Sequence, residues 1–103
     1  REEVLGEKHP YTATSYYNLG YVYKAKGDYT NELKYLEKYI LYIEKTKGVN
    51  SPDNIEYYER CSYLYLKLKN RQKAKEYQKK IDNIHAIKQK LMSDLKNRIR
   101  FKK

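Results

Sequence analysis

Pro10-Tyr11-Thr12-Ala13-Thr14-Ser15-Tyr16-Tyr17-Asn18-Leu19-Gly20-Tyr21-Val22-Tyr23-Lys24-Ala25-Lys26-Gly27-Asp28-Tyr29 is the stretch from which the architecture of this chain is read. Its apolar residues Ala13, Tyr16, Leu19 and Tyr23 recur at three- and four-residue steps with no internal proline, the pattern of one helical face. Pro10 suits a first helical turn, where its missing N–H is not needed, and Gly27 suits the stop. Beyond the Gly27-Asp28 turn a second stripe, Leu33, Leu36, Ile40 and Ile43, runs to Gly48. The spacing predicts two antiparallel helices joined by a short turn.

The chain repeats itself. Sliding it by 42 residues pairs Gly6 with Gly48, Pro10 with Pro52, Tyr16 with Tyr58, Tyr21 with Tyr63, Tyr23 with Tyr65, Tyr35 with Tyr77 and Lys38 with Lys80. Pattern follows the offset: Ser51-Pro52-Asp53 reads as a helix start, and Ile55, Tyr58, Cys61, Tyr65 and Leu68 form one face. Lys69-Asn70-Arg71 is the next turn. The fourth helix carries Ala74, Tyr77, Ile81, Ile84, Leu91, Leu95 and Ile99. No glycine or proline follows Arg71, so this helix is expected to run almost to the last residue and to project beyond its neighbours.

These residues resemble tetratricopeptide repeats of the longer-period variety found in kinesin light chains. Leu5-Gly6-Glu7-Lys8-His9-Pro10-Tyr11-Thr12-Ala13-Thr14-Ser15 resembles its inter-repeat linker, and Asn18-Leu19-Gly20 with Tyr23 and Gly27-Asp28-Tyr29 its first helix and turn. The resemblance implies an all-α, right-handed solenoid of antiparallel helix pairs with an extended last helix. Residues 1–8 are then the tail of a preceding repeat helix and its linker. Residues 9–47 make one helix pair, 48–84 a second, and 85–103 a basic extension. Glu32 and Tyr39 stand where the family has a small residue on the second helix, and in the second unit Ser62 stands at the position of Gly20 and Arg71 at that of Tyr29. A large residue at such a position is expected to displace its neighbour or turn outward.

The family resemblance also implies function: binding of a protein or peptide on the concave face, with no chemistry of the chain's own. The first helix of each pair lines that face, which places Thr14, Tyr17, Asn18, Tyr21 and Lys24 on it, followed by Glu56, Glu59, Arg60, Tyr63 and Lys67. Asn18 resembles the asparagine that grips a ligand backbone in peptide-binding members, using an amide that both donates and accepts. Tyr17, Tyr21 and Tyr63 add rigid area with a polar tip, and Lys24, Arg60 and Lys67 favour an acidic ligand. Arg60 stands where the second unit would repeat the asparagine, so a full carboxylate clamp is not expected. Tyr16, Leu19, Tyr23, Leu36, Ile40 and Cys61 read as core.

Composition narrows the remaining classes. With 103 residues the chain is one small domain at most, too small for a large core around a deep catalytic pocket. Its longest apolar run is Tyr39-Ile40-Leu41-Tyr42-Ile43, far short of a membrane span. The start at Arg1 carries neither an initiator Met nor a signal core, as expected of an excerpt from a longer protein. One cysteine, Cys61, fits a reducing, cytoplasmic setting. His9 and His85 have no ligand or nucleophile spacing around them, so neither metal, cofactor nor catalysis is expected.

The net charge of +10 is unevenly placed: residues 1–66 sum to −1 and residues 67–103 to +11. A solvated terminal helix accounts for this first. Nucleic-acid binding lacks any accompanying motif, whereas the stripe of Ile81, Ile84, Leu91 and Leu95 offers a self-association seam or an anionic membrane contact. Two units are fewer than the three usually required for stability. Extra burial is therefore expected from the last helix, from self-association or from further repeats.

Overall fold

In a computed structural model of the chain the structure describes residues 9–101, with side chains up to Ile99. It is an all-α helical repeat fold. Helix α1 spans Pro10–Lys26, α2 Tyr29–Lys47, α3 Ile55–Lys67 and α4 Arg71–Phe101, with a single 3-10 turn, Pro52–Asn54, leading into α3. No described helix is long and apolar enough to cross a membrane. The reading of residues 1–8 as a preceding helix tail and linker lies outside the described residues.

The predicted punctuation acts as caps. His9 Nδ1 accepts the Tyr11 N–H at 3.1 Å at the start of α1, in the side-chain role usually taken by Ser or Asp. Gly27, at φ 72°, closes α1 with its N–H on the Lys24 carbonyl, and the Asp28 N–H returns to Tyr23. Asp28 then caps α2: its carboxylate accepts from the Asn31 side chain and backbone N–H, which hold it below its usual pKa. The third turn has no glycine. Lys69 takes the left-handed conformation at φ 64°, and Asn70 Oδ1 caps α4 by accepting from Lys73 N at 3.1 Å.

Helices α1 and α2 pack as one pair, α3 and α4 as another, and α2 joins them by packing on α3. The core crosses that junction. Leu33, Leu36 and Ile40 of α2 meet Tyr58, Cys61 and Leu64 of α3 and Ile81 and Ile84 of α4. Burying each Leu or Ile contributes about 1.5–3 kcal/mol. The first pair approaches closely at Gly20, where a Cβ would make ordinary van der Waals contact, 3.7 Å from Leu36 N and 3.8 Å from the Glu32 carbonyl oxygen. Because α2 sits against Gly20, the buried side of α1 is Thr12, Ala13, Tyr16 and Gly20.

Several expected core positions change accordingly. Leu19 is 39% exposed, at the edge of the face that α2 covers. Tyr23 is half-buried and stacks on Tyr35 at 5.8 Å. Leu68 is exposed, one residue beyond the end of α3. Leu91, Leu95 and Ile99 are exposed for a geometric reason: α3 has 13 residues and α4 has 31, so an antiparallel partner covers only the first part of α4. At about 1.5 Å per residue the remainder projects by roughly 25 Å.

Carboxylates of α2 tie the two pairs together. Glu37 Oε2 accepts from the hydroxyls of Tyr65 at 2.9 Å and Tyr77 at 2.6 Å. Glu44 Oε2 accepts from Tyr58 at 2.7 Å and is salt-bridged to Lys80 at 2.8 Å. Buried Asn54 donates to the Ile40 carbonyl at 3.4 Å. Burial, then the bonds to these carboxylates, pushes the Tyr58 and Tyr65 phenols well above their ordinary pKa; burial does the same for Tyr77 and for the inert Cys61 thiol.

The linkage has a definite sign. A phenol whose pKa is raised in the folded state holds its proton there while the unfolded chain loses it. Stability is therefore full below the unfolded value of about 10 and falls as pH rises beyond it. Absorbance titration at 295 nm should show Tyr58, Tyr65 and Tyr77 ionising only together with alkaline unfolding.

Candidate functional site: a tyrosine-lined groove between α1 and α3

Because α2 reverses direction between them, α1 and α3 run the same way, side by side. Tyr17, in the middle of α1, meets Tyr57, at the start of α3, with ring centroids 6.2 Å apart and nearly perpendicular. Tyr39 of α2 lies 5.2 Å from both rings and completes a three-ring cluster. Edge-on contacts of this kind add about 0.5–1.5 kcal/mol beyond burial. Beside the cluster the surface opens into a groove of about 380 Å³, with Tyr16, Gly20 and Leu36 along its base. Tyr21, Lys24, Glu56, Glu59 and Tyr63 also line it.

The central feature is an ion pair between the helix pairs. Glu32 of α2 is only 3% exposed. Its two carboxylate oxygens accept from Arg60 of α3, Nε to Oε2 at 2.7 Å and Nη2 to Oε1 at 3.0 Å, a bidentate fork. Those bonds raise the Arg60 pKa further above its ordinary value. The guanidinium also lies 5.1 Å from the Tyr63 ring, where Lys67 Nζ approaches to 5.4 Å. Glu32 therefore neither displaces a neighbour nor turns to solvent, as its size had suggested. It crosses to the next pair.

Of the residues expected on the concave face, Tyr17, Tyr21, Lys24, Glu56, Glu59, Arg60 and Tyr63 come together around this one groove, and Thr14 does not line it. Asn18 is exposed but does not line it, and Lys67 stands beside it against Tyr63. The positive charge of Arg60 is already matched by Glu32. Sequence reasoning passed over Glu32 as a lining group and Tyr57 altogether. The signal for Tyr57 was its place one turn before Cys61 on α3; nothing local marked Glu32.

Residues 1–40 match a family model for the tetratricopeptide repeat. The match supports a tetratricopeptide-type repeat in this part of the chain. The described part of this match holds α1 and α2 as far as Ile40, hence the α1 side of the groove. Tetratricopeptide repeats generally serve as protein–protein interaction modules and non-enzymatic scaffolds. No curated protein and no solved structure gives a significant match to the chain. Among the described residues, no group of three His, Cys, Asp or Glu side chains is placed to hold a metal ion.

Arg60→Ala should cost about 3 kcal/mol, because it strands a buried carboxylate. Glu32→Ala should cost less, about 1–2 kcal/mol, since the freed guanidinium can reach water. Urea denaturation of both variants and the double variant checks this. The double variant should lose less than the sum of the single losses, whereas simple additivity would deny that the pair is coupled.

Proposed function

We propose that this chain is an interaction module whose α1–α3 groove receives an extended peptide segment of a partner protein, and that it performs no catalysis. The observation that carries this reading is the convergence of Tyr17, Tyr21, Tyr57 and Tyr63 on one groove whose base is already closed by packing. Tyrosine supplies large contact area with only two side-chain torsions to immobilise, which suits a recognition surface. The contacts proposed are Tyr17, Tyr21, Lys24 and Tyr63, with Arg60 acting mainly as the support that holds Tyr63 in place. Asn18 and Lys67 are rim positions.

The 42-residue spacing supports assigning the repeat to the longer-period variety found in kinesin light chains, with residues 9–47 and 48–84 as two units and 85–103 as a basic extension. An intracellular setting suits a reduced, buried Cys61. An acidic ligand, suggested by Lys24, Arg60 and Lys67 as a group, is less well supported than an uncharged or mixed one, because Glu32 has taken up Arg60.

Peptides selected by display against the chain provide the test. Tyr21→Ala and Tyr63→Ala should each weaken the selected peptides by at least about tenfold, the size of a moderate hot spot, while Asn18→Ala changes affinity less. Binding indifferent to both tyrosines would place the interaction elsewhere.

A further inference from the structure

The groove is electrically graded from one end to the other. Along α3 its side chains follow in the order Glu56, Glu59, Arg60, Tyr63 and then Lys67 beside it. Glu56 and Glu59 stand at the end where Tyr57 meets Tyr17. Lys24 is in the last turn of α1 and Lys67 in the last turn of α3, and the two helices run the same way, so both lysines stand at the opposite end. Between them Arg60 is neutralised by Glu32. Glu56, Glu59 and Lys24 are exposed and have no hydrogen-bond or ion-pair partner among the described residues.

Building on the peptide-groove reading, we infer that the ligand is an extended segment with charges of opposite sign at its two ends. Its Lys or Arg lies against Glu56, Glu59 and the rings of Tyr17 and Tyr57. Its Asp or Glu lies toward Lys24 and Lys67. A cation at the first end gains both carboxylate and aromatic partners; an anion there meets two unpaired carboxylates. Glu59 and Lys67 are eight residues apart on α3, about 12 Å along the axis. An extended peptide advances about 3.3 Å per residue, so its charges are separated by about four residues. The lining thus selects a charge order, where a uniformly basic face would select only net negative charge.

Five fluorescein-labelled peptides on one Ser/Leu/Gly frame test this by anisotropy at 0.15 M salt. They carry, four residues apart, Arg then Glu, Glu then Arg, two Arg, two Glu or two Gln. One of the two mixed peptides should bind about five- to tenfold tighter than the other four, as expected for two rim charge pairs. A variant with Glu56→Lys, Glu59→Lys, Lys24→Glu and Lys67→Glu should prefer the mixed peptide of reversed order. Equal binding of both mixed peptides, or tightest binding of a like-charged one, would overturn the graded-charge assignment. If Tyr21→Ala still weakened binding in that case, the groove reading would survive. If no peptide bound better than to a Tyr21→Ala/Tyr63→Ala chain, both readings would fall.

Discussion

A carboxylate buried between two helix pairs must find a cation or unfold its surroundings, and in this chain Glu32 finds Arg60. Stranding such a charge in a low-dielectric interior costs several kcal/mol, so the pair dictates how α2 may sit on α3. Everything in the groove follows from that placement. Arg60 is drawn down toward α2. Tyr63 lies over its guanidinium, and the space between α1 and α3 stays open above the filled junction. Glu37 and Glu44 repeat the device with phenols: three carboxylates of one helix reach four partners on two others, apart from the lysine.

Tyrosine makes this arrangement workable. A phenol brings a large apolar ring to the core and a hydroxyl that a carboxylate can accept from, so Tyr65 and Tyr77 satisfy Glu37 and Tyr58 joins Lys80 in satisfying Glu44. The same residue type lines the groove, where Tyr17, Tyr21 and Tyr63 are exposed and Tyr57 is half-buried beside them. Past Ile84 the apolar side of α4 continues as Leu91, Leu95 and Ile99 with no described element on it. The basic charge concentrated in this third of the chain keeps that projecting helix hydrated.

Helices were legible in the sequence because their signals are local. Pro10, Gly27 and Gly48 mark ends through backbone chemistry that holds wherever the helix packs, and the stripe Leu33, Leu36, Ile40 and Ile43 follows the helical period. Which side of α1 is buried was less legible, since Leu19 fits the period as well as Tyr16 does and only the approach of α2 at Gly20 separates them. The bonds of Glu32, Glu37 and Glu44 were not legible at all. A glutamate on a helix reads as a solvated residue, and their partners lie 14 to 40 positions away. The pairing of Arg60 was hidden for the same reason: its partner Glu32 lies 28 positions away on another helix. Tyr17, Tyr21 and Tyr63 line one groove, and Tyr17 and Tyr21 lie at helical spacing in the sequence, whereas their assembly around Tyr57 required the fold.

If the carboxylates of α2 fuse the two helix pairs into one body, neither pair should open alone. Native-state hydrogen exchange under increasing, sub-denaturing urea measures this directly. The slowest amides of α2, around Leu36 and Ile40, and of α3, around Cys61 and Leu64, should converge on one opening free energy with the same urea dependence. Exchange of α1 and α2 through a separate, lower-energy opening while α3 and α4 stay protected would contradict the account.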